Sequence, residues 1–296
     1  LTGYRGNTFG PCPAANPPGR GISSETNDGS KGTTMKRMGK TMCFGFGLLM
    51  LAMPAQAART CGPDSVPAGS VCLDRYEDSV WRVPNPTTTN ALLVAKIQLG
   101  TASRDDLTAA GATQLGTLVD DYAPCTANGQ NCADDIYAVS LPAVIPAANI
   151  SWFQAQEACA NSAKRLPTSA EWQIGVTGTP DAGLDNGTTT CNSNTMSVTL
   201  TGARKECESA RGAFDMVGNL DEWVAEWVPL STGCSTWGGL SDDFMCLFGA
   251  STSSAGPGAL LRGGDFRSHT AAGPLAVVGS GGPFNSRAFI GFRCAR

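Results

Sequence analysis

The stretch GAFDMVGNLDEWVAEWV (212–228) gathers residues whose types and spacing could do chemistry. Glu222 and Glu226 stand four apart, as do Trp223 and Trp227, the spacing of neighbours on one helix face. Two carboxylates can share the acid and base work of glycoside hydrolysis. On a single helix, however, an i, i+4 pair sits too close and points the same way for that reaction. One remaining reading is a tryptophan-lined core helix with an acidic outer face. The other is a hard-cation site, with Asp215 and Glu222 as oxygen ligands for Ca²⁺ and backbone carbonyls between them. His269 is the only histidine in the chain, and no placed partner makes a catalytic triad of it.

The second such stretch is the tail, Gly258–Arg296. Strand-like ends, Leu260–Leu261 and Ile290–Phe292, bracket a tract of Gly, Ser, Pro, Arg and Phe. Gly263–Gly264 permits a tight turn or a close backbone approach, and the run Gly279, Gly281, Gly282, Pro283 reads as another turn. Between them stand Phe266, Arg267, Ser268, His269, Phe284, Asn285, Arg287 and Phe289, a mixture that core packing would not select. Aromatics, arginines and small polar groups on loops are the materials of a recognition surface. The plainer reading is a C-terminal β-hairpin with ordinary loops.

The rest of the chain must position these residues. Its 296 residues are enough for a substantial core. Met35, the basic residues Lys36, Arg37 and Lys40, the apolar run Met42–Met53 and Ala55-Gln56-Ala57 read as a secretory signal (35–57) preceded by a leader or upstream segment (1–34). The apolar run is too short to span a bilayer. The expected domain is 58–296. From Ala58 onward it carries 15 Lys+Arg against 23 Asp+Glu, the wrong balance for a nucleic-acid binder and a suitable one for a secreted, periplasmic or cell-surface protein. Ten of the 12 cysteines follow Ala58, and an even number in an exported chain implies disulfides. Sequence does not fix their connectivity. Short spacing favours Cys61–Cys72, Cys125–Cys132, Cys191–Cys207 and Cys234–Cys246, which leaves Cys159 with Cys294. Zinc is a poor alternative, with no C-x₂-C pair and one histidine.

Val71–Tyr76 reads as a strand, Pro84–Asn90 as a turn, and Leu92–Leu99 as either strand or short helix. Residues 101–135, with Asp105–Asp106, Asp120–Asp121 and Asp134–Asp135, read as a solvated insertion; calcium at those paired aspartates is the less favoured reading. Ser151 and Gln154 form a capping box ahead of an apolar stripe at helical spacing, and Thr168 with Glu171 opens a second helix bearing Trp172. Residues 177–202 read as a long loop that needs a staple.

Four motifs in order, KRLPTSAEWQ (164–173), FDMVGNLDEW (214–223), LLRGGDF (260–266) and IGFRCAR (290–296), resemble the formylglycine-generating enzyme, or sulfatase-modifying factor, family, and CLDRYED (72–78) resembles its first strand. The resemblance implies an irregular α+β single domain, a variant of the C-type-lectin-like fold. It also implies a Cys159–Cys294 disulfide and a calcium site at Asp215, the carbonyls of Gly218 and Leu220, and Glu222, with Asp215 standing where Asn is usual. Formylglycine generators oxidise a substrate cysteine with copper and two cysteines soon after the RGG motif. Here Arg267–Phe289 contains no cysteine, so no copper is expected. A single histidine likewise leaves the fold's iron-oxygenase branch without ligands.

The tail also resembles the variable region of proteins diversified by retroelements that alter adenines. That resemblance implies a constant frame of Arg262, Gly263, Gly264, Ala272, Gly273, Pro283 and Ile290–Arg293. It implies varied positions at Asp265, Arg267, Ser268, Ala271, Val278, Ser280, Gly281, Arg287, Ala288 and Phe289, with Phe266 and His269 less firmly assigned. The expected function is binding of a surface protein or glycan through Asp265, Phe266, Arg267, Ser268, His269, Phe284, Arg287 and Phe289, with Phe266, Phe284 or Phe289 as apolar anchors. The alternatives are a formylglycine-type oxidase and a structural envelope component.

Overall fold

The computed structural model describes residues 60–296, apart from 120, 133–135, 182, 184 and 251–255. The expected leader and signal, with Cys12 and Cys43, lie outside the described residues, as do Asp120, Asp134 and Asp135. Residues 56–296 form one contact unit. It opens with an antiparallel ribbon of β1 (Ser65–Ala68) and β2 (Val71–Asp74), followed by β3 (Asp78–Arg82). The ambiguous Leu92–Leu99 run is a helix, α1 (Ala91–Gln98), with Leu93 and Ile97 buried one turn apart.

Residues 101–135 are not a merely solvated insertion. They contain α2 (Arg104–Ala109) and β4 (Thr113–Leu115), and they bury Leu107, Leu115 and Tyr122. Asp106 closes a capping box with Ser103 and pairs with Lys96 at 2.6 Å, while Asp121 accepts from the backbone N–H groups of Gly116 and Leu118. These aspartates therefore hold local turns. β4 and β5 (Ile136–Ser140) flank β3 in an antiparallel sheet.

The two helices expected next are α3 (Trp152–Asn161) and α4 (Ser169–Gly175), each opened by the predicted capping box. Then the sequence expectation fails. Residues 212–228 are not a helix. Asp215, Gly218 and Asn219 take φ values of 58°, 72° and 57°, which a right-handed helix excludes, and β6 (Asp221–Pro229) follows. Residues four apart share a face in a strand as well as in a helix, so the Glu/Trp spacing was blind to the difference. A register shift between Trp223 and Trp227 separates even that pair. Trp223 is fully buried and Trp227 is 46% exposed.

β6 is paired on both sides in a six-stranded sheet completed by β7 (Gly233–Ser235), β8 (Met245–Phe248), β9 (Pro257–Arg262), β10 (Val277–Gly281) and β11 (Ile290–Phe292), in the order β11-β6-β9-β10-β8-β7. The two strand-like ends do not pair with each other: β6 lies between them, antiparallel to β9 and parallel to β11, and β9 pairs antiparallel with β10 on its other side. Gly279 and Gly281 lie within β10, not in a turn. The main core packs Trp223, Phe292, Ile150 and the α3 alanines around Cys159–Cys294. Five disulfides form, pairing Cys61–Cys72, Cys125–Cys132, Cys159–Cys294, Cys191–Cys207 and Cys234–Cys246.

Candidate binding surface

Between β9 and β11 the chain first turns sharply at Gly263 and Gly264, with φ of 90° and 79°. A Cβ on Gly263 would come 2.7 Å from the Met216 carbonyl, and one on Gly264 2.7 Å from Ala272 Cα, so only glycine suits both the dihedrals and the space. This turn delivers Asp265, which is buried yet carries its carboxylate to Arg267: the backbone N–H of Arg267 donates to Oδ1 at 2.7 Å, Nε to Oδ1 at 3.0 Å and Nη2 to Oδ2 at 2.7 Å. The Arg267 guanidinium lies 3.4 Å from the centroid of the half-buried Phe289 ring, a cation–π stack. Ser268 fixes the turn by accepting from the Asp265 N–H. His269 stands exposed at the start of a 3₁₀ turn (His269–Ala271), its backbone N–H donating to the Ser193 carbonyl. Farther on, Phe284 is 60% exposed and Arg287 is exposed as well.

Phe266 departs from this pattern. It is buried against Ala148 and Leu220, with its backbone N–H donating to Asn219 and its carbonyl accepting from Met196. It is a core residue, not a displayed anchor. The reason is a tight turn: the Ser268 N–H donates to the Asp265 carbonyl at 3.0 Å, and the turn sets Phe266 against Ala148 and Leu220 while Arg267 reaches the surface.

Asp221, Asp265, Arg267 and Phe289 line an open cavity of about 380 Å³, closed on another side by Phe244 and the Cys234–Cys246 bridge. Sequence reasoning missed Asp221 and Phe244. Asp221 was hidden inside the DEW run, where a helical reading gave it no direction. Burial first, then the neighbouring Asp265, hold its carboxyl well above the ordinary range, although the Gly264 N–H and Arg267 work against this.

Asp215, Gly218, Leu220 and Glu222 surround a different feature. Arg293, fully buried, donates through Nε and Nη2 to the Glu222 carboxylate at 2.6–2.9 Å and through Nη2 to the Phe214 carbonyl at 2.8 Å. Trp172 Nε1 donates to Glu222 Oε2 at 2.7 Å, so three N–H groups, one of them shared between both oxygens, hold the Glu222 carboxylate. Asp215 accepts from the Gly202 N–H with Oδ2, while its buried Oδ1 has no partner. Burial pushes Asp215 up to about 7. Glu77, also buried, accepts from Asn219 and from the Leu220 N–H. Three buried carboxylates thus surround one guanidinium, and the unpartnered oxygen and surplus negative charge suit a cation. Elsewhere, Asp181, Asp242 and Asp243 bring carboxylate oxygens within 4.8 Å of one another, a group that could hold a divalent cation.

All ten cysteines among the described residues are bonded in pairs. The described domain therefore has no free thiol pair of the kind formylglycine generation uses. No helix among the described residues is long and apolar enough to cross a membrane.

Four short helices and three disulfide-tied sheets among the described residues thus carry a surface built on turns. Residues 56–296 match the sulfatase-modifying factor enzyme 1-like domain, and the chain belongs to that family. No curated protein sequence matches it. Among solved structures, Major Tropism Determinant M1 variant is 21% identical over 81% of this chain and 53% of its own, with a TM-score of 0.43. The I1 variant is 22% identical over 57% and 47%, with a TM-score of 0.38. Treponema denticola variable protein 1 is 17% identical over 51% and 70%, with a TM-score of 0.35. The chain spans about half the length of the tropism determinants it matches.

Proposed function

We propose that the domain is a non-catalytic binding module of an exported protein, presenting the outward side chains of residues 265–289 to a surface protein or glycan, and that these positions are the ones diversified. One observation carries the reading. Every residue of the expected constant frame, Arg262 through Gly264, Ala272, Gly273, Pro283 and Ile290 through Arg293, is buried, while nine of the ten expected varied positions reach solvent, Asp265 being the exception. Exposed loop positions change at little cost to stability, and a disulfide-tied base keeps the ordering cost of binding low whatever they display. Export is supported by the five disulfides, which persist in oxidising compartments. Calcium belongs to the proposal as a brace, held by Asp215 Oδ1 and the carbonyls of Gly218 and Leu220, with Glu222 shared between the ion and Arg293.

The test is a phage-displayed library of the oxidised chain randomised at 268, 280, 287, 288 and 289. Most clones are expected to resist protease and selection against purified lysozyme to enrich binders. Loss of protease resistance in most clones sinks the proposal. A near-copy of the 3′ coding end, differing at adenines, is the expected genomic counterpart.

A further inference from the structure

The cavity beside Arg267 carries a charge pattern that selects among ligands. Two carboxylates, Asp221 and Asp265, meet one guanidinium there, and that guanidinium is already matched: Arg267 donates from Nε and Nη2 to the two oxygens of Asp265 and lies over Phe289. Asp221 is 8% exposed and makes no ion pair within 4 Å among the described residues. An anionic ligand would have to pull Arg267 away from Asp265 while facing Asp221. A cation would meet an unmatched carboxylate and leave the Asp265–Arg267 pair intact. Around these charges the lining, apart from Ser268, is apolar: Phe244, Phe289, Val278 and the Cys234–Cys246 bridge. Such walls accept an aliphatic stem, and an aromatic face adds cation–π attraction to a positive head.

We propose that this cavity binds a cationic side chain on an aliphatic stem, a lysine or arginine presented by a partner protein. The inference rests on the display reading above and specifies the chemistry of its partner. Position 278 is then a selector, since its half-buried valine leaves the cavity open and a larger side chain would fill it.

The experiment titrates the full oxidised chain with n-butylammonium, n-butylguanidinium, n-butanol and pentanoate, following the Arg267 Nε–H resonance by NMR. The two cations are expected to bind at least tenfold tighter than butanol, and pentanoate not to bind. Asp221→Asn is expected to weaken the cations at least tenfold and leave butanol unchanged. Should that variant fold poorly, Val278→Arg places the chain's own cation in the cavity and is expected to abolish binding of both probes. Pentanoate binding as tightly as butylammonium overturns the proposal, as do cations that bind Val278→Arg undiminished. Binding of N-acetylglucosamine without the alkyl cations overturns it in favour of a glycan. If the displayed library yields binders and the cations fail, only the charge preference falls; if the library fails to fold, the display reading falls with it.

Discussion

The Cys159–Cys294 bridge joins the α3 helix to the residue group just after β11, and its removal is the sharpest test of what holds the displayed tract in place. Both cysteines are fully buried and the bridge closes a loop of 135 residues. Chain-entropy reasoning assigns such a loop about 5 kcal/mol at 25 °C, against about 2.4 kcal/mol for the loop of 7 closed by Cys125–Cys132. For a domain of this size each kcal/mol moves Tm by about 2–4 °C, so the expected losses are about 10–20 °C and about 5–10 °C. The assay compares the double variants Cys159→Ala/Cys294→Ala and Cys125→Ala/Cys132→Ala by thermal and guanidinium melts without reductant. The denaturant m-value should rise more for the long loop, because its unfolded state expands more on release. Equal losses in the two variants, or a larger one for Cys125–Cys132, would refute the idea that the long bridge acts by restraining the unfolded chain.

Four further outcomes follow from the same geometry. Arg293→Met should cost about 3–5 kcal/mol in a urea melt, because it strands buried Glu222 beside Glu77 and Asp215; a neutral result would count against the guanidinium as the cluster's counter-charge. Phe266→Ala should cost about 3–5 kcal/mol, while Phe284→Ser with Arg287→Ser should stay within about 1 kcal/mol; the reverse order would invert the assignment of core and surface. Adding calcium at about 100 times its Kd should stabilise the chain by about 2.7 kcal/mol, an effect lost in Asp215→Ala; no shift in Tm argues against the brace. Lys164, 3.0 Å from Asp64 and 2.7 Å from Asp74, would be lowered by burial alone, but Asp74, Asp78 and Asp64 hold it above its usual 10.5. Its contribution is therefore complete below 10.5 and lost as pH rises through the folded value. Burial would raise Asp64, yet Lys164 and Arg296 outweigh it and hold the carboxyl below 3.8, so its contribution is complete above 3.8 and lost as pH falls through the folded value. Lys164→Met should flatten the alkaline limb of the stability profile, and an unchanged limb counts against the assignment.

What could be read from the sequence was whatever a short window determines. Ser151-x-x-Gln154 and Thr168-x-x-Glu171 announce helices because a capping box is a local bonding pattern, and the close cysteine pairs bond as spacing suggests. The same windows misled wherever long-range pairing decides. Residues 221–229 carry a spacing common to helix and strand, and only β9 and β11 on either side make them a strand. Residues 101–135 look solvated because Leu107 and Tyr122 are isolated among polar neighbours, yet each finds a core. Phe266 looks like a displayed aromatic beside Arg267, but its place under Leu220 depends on the turn at Gly263–Gly264. Asp221 drew no attention for the same reason: its role depends on a partner 44 positions away, Asp265.

The division between buried and solvent-reaching positions in the tail follows from charge and packing. Arg293 ends the frame by bonding Glu222, the Phe214 carbonyl and the Asp74 carbonyl at once, so one guanidinium ties three separate segments of the chain, and any neutral residue there leaves acceptors stranded. Arg267, by contrast, bonds only Asp265, two positions away, and lies over the rings of Phe289 and Phe266; it ties no distant segments together. Asp265 is the intermediate case. It is buried, so losing Arg267 alone leaves it unmatched, while changing both together removes the charge and its partner in one step. Replacing 265 and 267 together is therefore expected to cost less stability than replacing Arg267 alone, because it removes a charge and its partner from the cavity in one step.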